Sequence, residues 1–137
     1  MRRFRASFLI GLFCLAITGC GSDNVPLEGK VTFADDGSPL TCGTVLFDNG
    51  TILARGPIES DGTYTVGLER EGDGILPGTY QVSIVDAAKE IPSGSDYVPP
   101  SYEKLIHEKY FSKETSGLEV SVDSSMQQFD IEVDRPE

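Results

Sequence analysis

The sequence predicts an all-β protein, a seven-stranded antiparallel β-sandwich. Two observations carry the prediction: beyond residue 26, apolar and polar residues alternate in seven short runs, and turn-forming residues separate most of these runs. Successive side chains of a strand point to opposite faces, so an alternating run has one apolar and one solvent-facing side. Short strands joined by turns pack as two antiparallel sheets around a shared core.

The seven runs follow one another along the chain. Their apolar members are Leu27, Val31 and Phe33, then Val45 and Phe47, then Ile52, Ala54 and Ile58, then Tyr64, Val66 and Leu68, then Tyr80, Val82 and Ile84, then Leu118, Val120 and Val122, and last Phe129, Ile131 and Val133. Asp, Asn and Gly tolerate tight or left-handed backbone geometry. The turns that these residues predict are 36–39, 48–50, 61–62, 72–74 and 123–125.

Residues 87–117 have no strand pattern and form one long predicted loop. Ser101 follows a proline pair, which makes it a candidate N-cap for a short helix of one to three turns. Two interpretations stay open for this loop: a crossover between the two sheets, or a binding loop, since long loops inside a compact domain are often functional. For a binding loop, the candidate ligand contacts are Tyr97, Tyr102 and Tyr110.

The N-terminus has the order of a secretory signal peptide. Three arginines precede the mostly apolar run 6–17, which is too short to span a bilayer and is followed by Thr18, Gly19 and Cys20. This ending resembles the bacterial lipobox. The resemblance implies a signal peptide at 1–19, cleavage between Gly19 and Cys20, and attachment of fatty acyl chains such as palmitate to Cys20. A plain signal peptide with an unrelated cysteine remains the alternative.

Composition restricts the partners. Loss of residues 1–19 removes three arginines, which leaves eight Lys plus Arg against 22 Asp plus Glu. This balance argues against nucleic acid and against electrostatic docking on anionic lipid, so membrane attachment is expected through the lipid anchor alone. Gly21 after the cysteine resembles a sorting signal for the outer membrane, which implies that membrane over the inner one where a cell has two.

Cysteine usage predicts no disulfide within the exported domain. Cys14 lies in the predicted signal peptide and Cys20 takes the lipid, so Cys42 is left alone. Its expected role is that of a small, partly buried residue at a strand start. A reactive thiol or an intermolecular disulfide is the alternative.

The order of turns and strands resembles a known family. Its opening corresponds to 29–31, 36–40 and 43–47, and its middle to 61–64 and 76–82. These segments are similar to the carboxypeptidase regulatory-like, transthyretin-like domain of small bacterial lipoproteins, and so is the ending at 108–110 and 115–120. The resemblance implies a sandwich domain at 27–134 behind a lipidated tether at 20–26. It also implies an accessory, adhesive or structural role.

The sequence contains no catalytic constellation, so we expect a non-enzymatic protein without cofactor or metal. His107 is the one histidine, which excludes a His-rich zinc site, and it is expected to be solvated. The transthyretin-like fold that the resemblance implies also hosts hydroxyisourate hydrolases. Those enzymes need several histidines, so a chain with one histidine is not expected to be one of them. The acidic residues at strand ends are the candidates for a calcium site or a hydrolase, with solvated turns as the simpler interpretation; they are Asp35, Asp36, Asp61, Glu69, Glu71 and Asp73.

The sequence thus predicts an envelope lipoprotein whose sandwich binds or organises a neighbouring protein or polysaccharide. Two alternatives stay open. One is a carbohydrate-binding module that uses the loop tyrosines, weakened by the absence of tryptophan. The other is a hydrolase that uses the acidic residues.

Overall fold

The computed structural model of the protein describes residues 23–137. The predicted signal peptide at 1–19, its cleavage site at Gly19 and Cys20, and the lipid attachment at Cys20 lie outside these residues. Within 23–137, no helix is long and apolar enough to cross a membrane.

The described part of the chain is all-β. Its strands are β1 (Glu28–Phe33), β2 (Thr44–Asp48), β3 (Leu53–Pro57), β4 (Thr63–Thr65), β5 (Gly78–Val85), β6 (Ala88–Ile91), β7 (Ser101–Lys104), β8 (Leu118–Val122) and β9 (Ile131–Val133). One 3₁₀ turn, Glu108–Phe111, lies between β7 and β8.

Two sheets form the sandwich, with strand orders β3-β2-β5-β8 and β4-β1-β9. These seven strands coincide with the seven alternating runs of the sequence, so the predicted seven-stranded sandwich is confirmed. All of their ladders are antiparallel except that of β1 and β9. β9 runs parallel to β1 because the segment after β8 stays at the end of the sandwich where β1 begins. There the Glu28 N–H donates to Gln127 O (3.1 Å), and the Phe129 N–H donates to Glu28 O (2.9 Å).

The core lies between the two sheets and is aromatic at its centre. Phe47 on β2 and Tyr64 on β4 are buried, with ring centroids 6.1 Å apart. Phe129 meets Phe47 edge to face at 6.3 Å. The Tyr64 hydroxyl donates to the Phe129 carbonyl oxygen across the intervening strand β1. That strand carries Gly29 at the crossing point, because a β-carbon there would overlap the same carbonyl.

The folded part begins inside the predicted tether. Val25 is buried and pairs with Ile75, with N–H to O distances of 2.7 and 2.9 Å in the two directions. The tether predicted at 20–26 therefore contributes its last residues to the sandwich, and the folded part begins at Val25 instead of Leu27.

The sandwich has two ends, named here by what lies there. The Val25 end holds the loops 49–52, 67–76 and 123–128, because the pairs Asp48↔Gln81 and Gly78↔Val122 place these loops beside the start of β5. The arm end holds the loops 34–43 and 59–62 and the chain that follows Val85, since Thr44 pairs with both Val85 and Pro57. β5 spans the distance between the two ends.

The predicted helix at Ser101 does not form. Ser101 begins strand β7, which pairs with β6, and the short helix of this loop is the 3₁₀ turn capped by His107. Pro99 and Pro100 favour extended backbone in the residues that precede them, and β6 offers a pairing partner to the four residues that follow.

Candidate functional site

Residues 88–104 form a two-stranded arm, composed of β6, the loop 92–100 and β7. The two strands pair in the register Ala88↔Lys104, Lys89↔Glu103, Glu90↔Tyr102 and Ile91↔Ser101, and no other strand within residues 23–137 joins their sheet. All of these residues except Ala88 are exposed. An isolated two-stranded hairpin has little stability of its own, so the arm depends on its attachment to the sandwich.

A backbone bend separates the arm from β5. Asp86 lies between β5 and β6 and has a φ of 57°, in the left-handed region that aspartate tolerates better than most residues. Its carbonyl accepts from the Ala88 N–H (3.0 Å). This bend turns the chain out of the four-stranded sheet, so that β6 does not simply continue β5.

The root of the arm is fixed by buried residues that lie just before its first strand and just after its second. Ala87 and Ile106 are fully buried, and the Leu105 N–H donates to Ala87 O (2.9 Å). Cys42 is partly exposed, and its thiol donates to Ala88 O at 3.6 Å. Cys42 therefore packs beside the first residue of β6, as expected for a small residue that precedes a strand.

The three candidate tyrosines of the loop separate into two groups. Tyr97 is 96% exposed and Tyr102 is 65% exposed, whereas Tyr110 is 5% exposed. The Tyr110 hydroxyl donates to Asp134 Oδ2 (3.0 Å) and accepts from the Asp134 N–H (3.2 Å). Tyr110 is therefore a packing residue that a ligand at the surface does not reach. The arm exposes Tyr97, Val98 and Tyr102, and it also exposes Ile91 on the face opposite Tyr102.

Charged groups surround Tyr102 on its own face of the arm. Glu90 lies directly opposite Tyr102 in the register, and Lys104 lies two residues further on, so both side chains share the face of the tyrosine. The Lys104 ammonium is 3.7 Å from Glu108 Oε2 and lies over the Phe111 ring at 5.7 Å from its centroid. The ring of Tyr102 is thus flanked by one hydrogen-bond acceptor and one donor.

His107 and Lys109 connect the root of the arm to the end of β9. The His107 N–H donates to Asp134 O (2.9 Å), and the His107 Nδ1 accepts from the Lys109 N–H (3.1 Å). The Lys109 ammonium lies 2.6 Å from Asp134 Oδ2. This contact raises the pKa of Lys109 and lowers the pKa of Asp134, in both cases chiefly through the hydrogen bond between them. His107 is a capping residue, not a freely solvated side chain.

The acidic candidates do not gather in one place. Asp35, Asp36 and Asp61 lie at the arm end, and the remaining three lie in the loop 67–76 at the Val25 end. Within residues 23–137, no three His, Cys, Asp or Glu side chains are grouped so as to hold a metal ion.

Four of these six carboxylates make structural contacts: Asp35, Asp36 and Asp61 at the arm end, and Asp73 at the Val25 end. Asp35 and Asp36 receive the Arg135 guanidinium at 2.8 and 3.0 Å. The hydroxyl and backbone N–H of Ser38 lower the pKa of Asp36 to about 2. Asp61 accepts from Thr63, and hydrogen bonds from the Thr63 hydroxyl and N–H lower its pKa.

Asp73 closes the loop at the Val25 end. Its carboxylate accepts three backbone N–H groups, from Leu68 (2.6 Å), Glu69 (3.1 Å) and Arg70 (3.1 Å). These bonds lower the pKa of Asp73, the one from Leu68 most of all. The Asp73 carbonyl also accepts from Asn24 Nδ2 at 3.0 Å, which ties the loop to the start of the folded chain.

Comparison with known proteins reveals no family. No protein-family model matches the sequence, and no curated protein matches it. Among solved structures, one similar chain is BcpA*(D312A), the major pilin subunit of Bacillus cereus, with a TM-score of 0.49, 11% identity, and coverage of 83% of this chain and 30% of that one. A second is a 9R-lipoxygenase from Cyanothece PCC8801, with a TM-score of 0.34, 11% identity, and coverage of 80% of this chain and 16% of that one.

Proposed function

We propose that the protein is a lipid-anchored component of a bacterial envelope that binds a neighbouring envelope molecule through its arm and is not an enzyme. The observation that carries the proposal is the place of the arm. It leaves the sandwich at the end opposite Val25, with Tyr97 and Tyr102 exposed on it. The short basic and apolar N-terminus that ends at Cys20 supports the anchor.

The two ends of the sandwich support a division of roles. Four residues separate Cys20 from Val25, so an acylated Cys20 holds the Val25 end within about 17 Å of the lipid headgroups. β5 adds eight residues, or about 26 Å, between that end and the root of the arm. The sandwich then acts as a spacer, and the arm meets molecules that lie away from the bilayer surface.

The anchor is tested with two matched cysteine variants. Membrane fractions of cells that express Cys20→Ala are expected to lose the protein, whereas Cys14→Ala, inside the predicted signal peptide, is expected to retain it. Mass spectrometry of the wild-type N-terminal peptide is expected to show acyl chains on Cys20. An unmodified Cys20 in membrane-bound protein would contradict the anchor.

The binding role is tested with a photo-crosslinking amino acid in the full-length protein in native envelopes. Placed at Tyr97, it is expected to capture a reproducible protein or glycan adduct. Placed at Glu71, in the loop at the Val25 end, it serves as the control. No adduct at residue 97 above the yield at residue 71 would contradict the role of the arm.

A further inference from the structure

We infer that the ligand of the arm is an uncharged polysaccharide, which Tyr97 and Tyr102 contact through the faces of their rings. The inference rests on the proposed binding role and deepens it by naming the class of partner. Its support comes from the charge of the chain, the edges of the arm, the exposure of the two rings and the groups beside them.

Charge argues against several other partners. The whole chain carries 22 acidic against 11 basic residues, so an anionic polymer, an anionic lipid surface and a second copy of the chain are all repelled. The net charge of the arm itself is close to zero. The arm contains two basic residues, Lys89 and Lys104, and three acidic residues, Glu90, Asp96 and Glu103. The arm is therefore suited to a partner without charge.

The edges of the arm argue against the addition of a protein strand. Each strand has four residues; Pro92 follows β6 directly, and Pro99 and Pro100 precede β7. Proline has no N–H to donate, so an added strand could pair with only a short stretch of either edge. The carbonyl of Ala88, on the edge of β6, already accepts a hydrogen bond from the Cys42 thiol. Recognition by the arm must therefore use its side chains more than its backbone.

The exposed side chains suit the two faces of a sugar. A pyranose ring presents C–H groups on its faces and hydroxyls around its rim, so it is bound by an aromatic face with hydrogen-bonding groups beside it. Tyr102 has Glu90 and Lys104 on its own face of the arm. Tyr97 is next to Ser95, whose hydroxyl accepts the Tyr97 N–H at 3.3 Å. A tyrosine offers a large apolar ring with a polar end, which limits the cost of its exposure before binding.

The open exposure of two rings in one short segment favours a polymer over a small sugar. Tyr97 is 96% exposed, so no cavity encloses it, and a single sugar unit would bury little surface there. The five residue steps from Tyr97 to Tyr102 span at most about 17 Å, so a single polysaccharide chain is long enough to contact both rings. Two weak contacts on one polymer reinforce each other, since the first raises the effective concentration of the second.

The test is affinity electrophoresis of the full-length protein in detergent, in gels that contain one polymer each. The neutral polymers are amylose, cellulose in soluble hydroxyethyl form, β-1,3-glucan and mannan, and the anionic ones are alginate and polygalacturonate. At least one neutral polymer is expected to retard the protein, and neither anionic polymer is expected to do so.

The double variant Tyr97→Ala and Tyr102→Ala is expected to weaken binding by about tenfold or more, which corresponds to the loss of two aromatic contacts. The double variant Tyr97→Phe and Tyr102→Phe keeps both rings, and its affinity for the polymer is expected to stay within about threefold of the wild-type affinity. Ile91→Ser is the matched control: its side chain is also exposed on the arm, but on the face opposite Tyr102.

Three outcomes would overturn the inference. They are no retardation by any neutral polymer, equal loss in Ile91→Ser and in the tyrosine variants, and retardation by the anionic polymers alone. If the polymers have no effect but crosslinking at residue 97 captures a protein, the polysaccharide inference fails and the proposed binding role stands. If neither experiment shows a partner, both fail.

Discussion

At the scale of single residues, a buried hydroxyl at Tyr80 fixes the start of β5. Tyr80 is fully buried, and its hydroxyl donates to the carbonyl of Leu76, four residues earlier (2.8 Å). Tyr80→Phe leaves this carbonyl without its partner, so we expect the free energy of unfolding to fall by about 1–3 kcal/mol. Chemical denaturation measures the change. Tyr102→Phe is the control, because its hydroxyl is exposed, and an equal loss in both variants would contradict the role of the Tyr80 bond.

Burial also raises the pKa of the Tyr80 phenol above its ordinary value of 10.0. A raised pKa in the folded state contributes stability below the ordinary value, and this contribution is lost as the pH rises through the raised one. The wild type is therefore expected to lose stability above about pH 10 more steeply than Tyr80→Phe, which does not titrate at this position.

Asp73 gives a prediction at acid pH. Three backbone N–H groups lower its pKa below the ordinary 3.8, so its carboxylate stabilises the folded state above that pH. This stabilisation is lost as the pH falls through the lowered pKa. Asp73→Asn is expected to have a lower melting temperature at pH 7 and a flatter decline below pH 4, measured by thermal unfolding at a series of pH values. Glu71→Gln, an exposed charge change in the same loop, should match the wild type in both respects.

Single residues also show where sequence reasoning ends. Tyr97, Tyr102 and Tyr110 lie in one loop without periodicity, so nothing in the sequence separates the exposed pair from the buried third. Tyr110 is buried because the 3₁₀ turn brings it to Asp134, which is 24 residues away in the chain. The role of Asp73 was equally hidden, since its three partners depend on the exact path of the loop 67–76.

At the scale of elements, strands could be predicted wherever one face meets the core. In β1 to β4, β8 and β9, and in the first half of β5, buried residues alternate with half-buried or exposed ones, and the sequence contains the matching alternation of apolar and polar residues. β6 and β7 have no such contrast, because nearly every residue on them is exposed. A strand that buries neither face leaves no periodic signal, and for that reason the arm was predicted only as a long loop.

The arm is expected to be dispensable for folding. Lys89 and Glu103 are register partners, so the segment 90–102 can be replaced by an Asn-Gly turn that closes a shorter hairpin. Almost all of the removed side chains are exposed, and the new loop is shorter, so the free energy of unfolding should change by no more than about 0.5 kcal/mol. Denaturant titration checks this, and the same variant should lose the gel retardation. Unfolding of the variant would show that the arm supports the core.

At the scale of the whole molecule, the sequence predicts the sandwich but not the end of the sandwich at which each loop lies. The turns predicted from the sequence give the order of the loops along the chain. The positions of the loops in space depend on the directions of the strands that they join. Val25 pairs with Ile75 just before β5 begins, and the arm follows the end of β5, so the direction and length of β5 decide that Val25 and the arm lie at opposite ends. The six acidic candidates were divided between the ends for the same reason.

This polarity predicts an upright orientation on a membrane. With Cys20 acylated as proposed, a dye at the Val25 end lies near the lipid and a dye on the arm lies at least the length of β5 further away, about 26 Å. The acidic chain is also repelled by anionic headgroups, which opposes lying flat.

The measurement is energy transfer to acceptor lipids in phosphatidylcholine vesicles that contain phosphatidylglycerol. The dye is attached to Glu71→Cys or Asp96→Cys in a Cys42→Ala background. We expect strong transfer from residue 71 and weak transfer from residue 96. Equal transfer from both positions would mean that the domain lies on its side, with the arm at the bilayer surface.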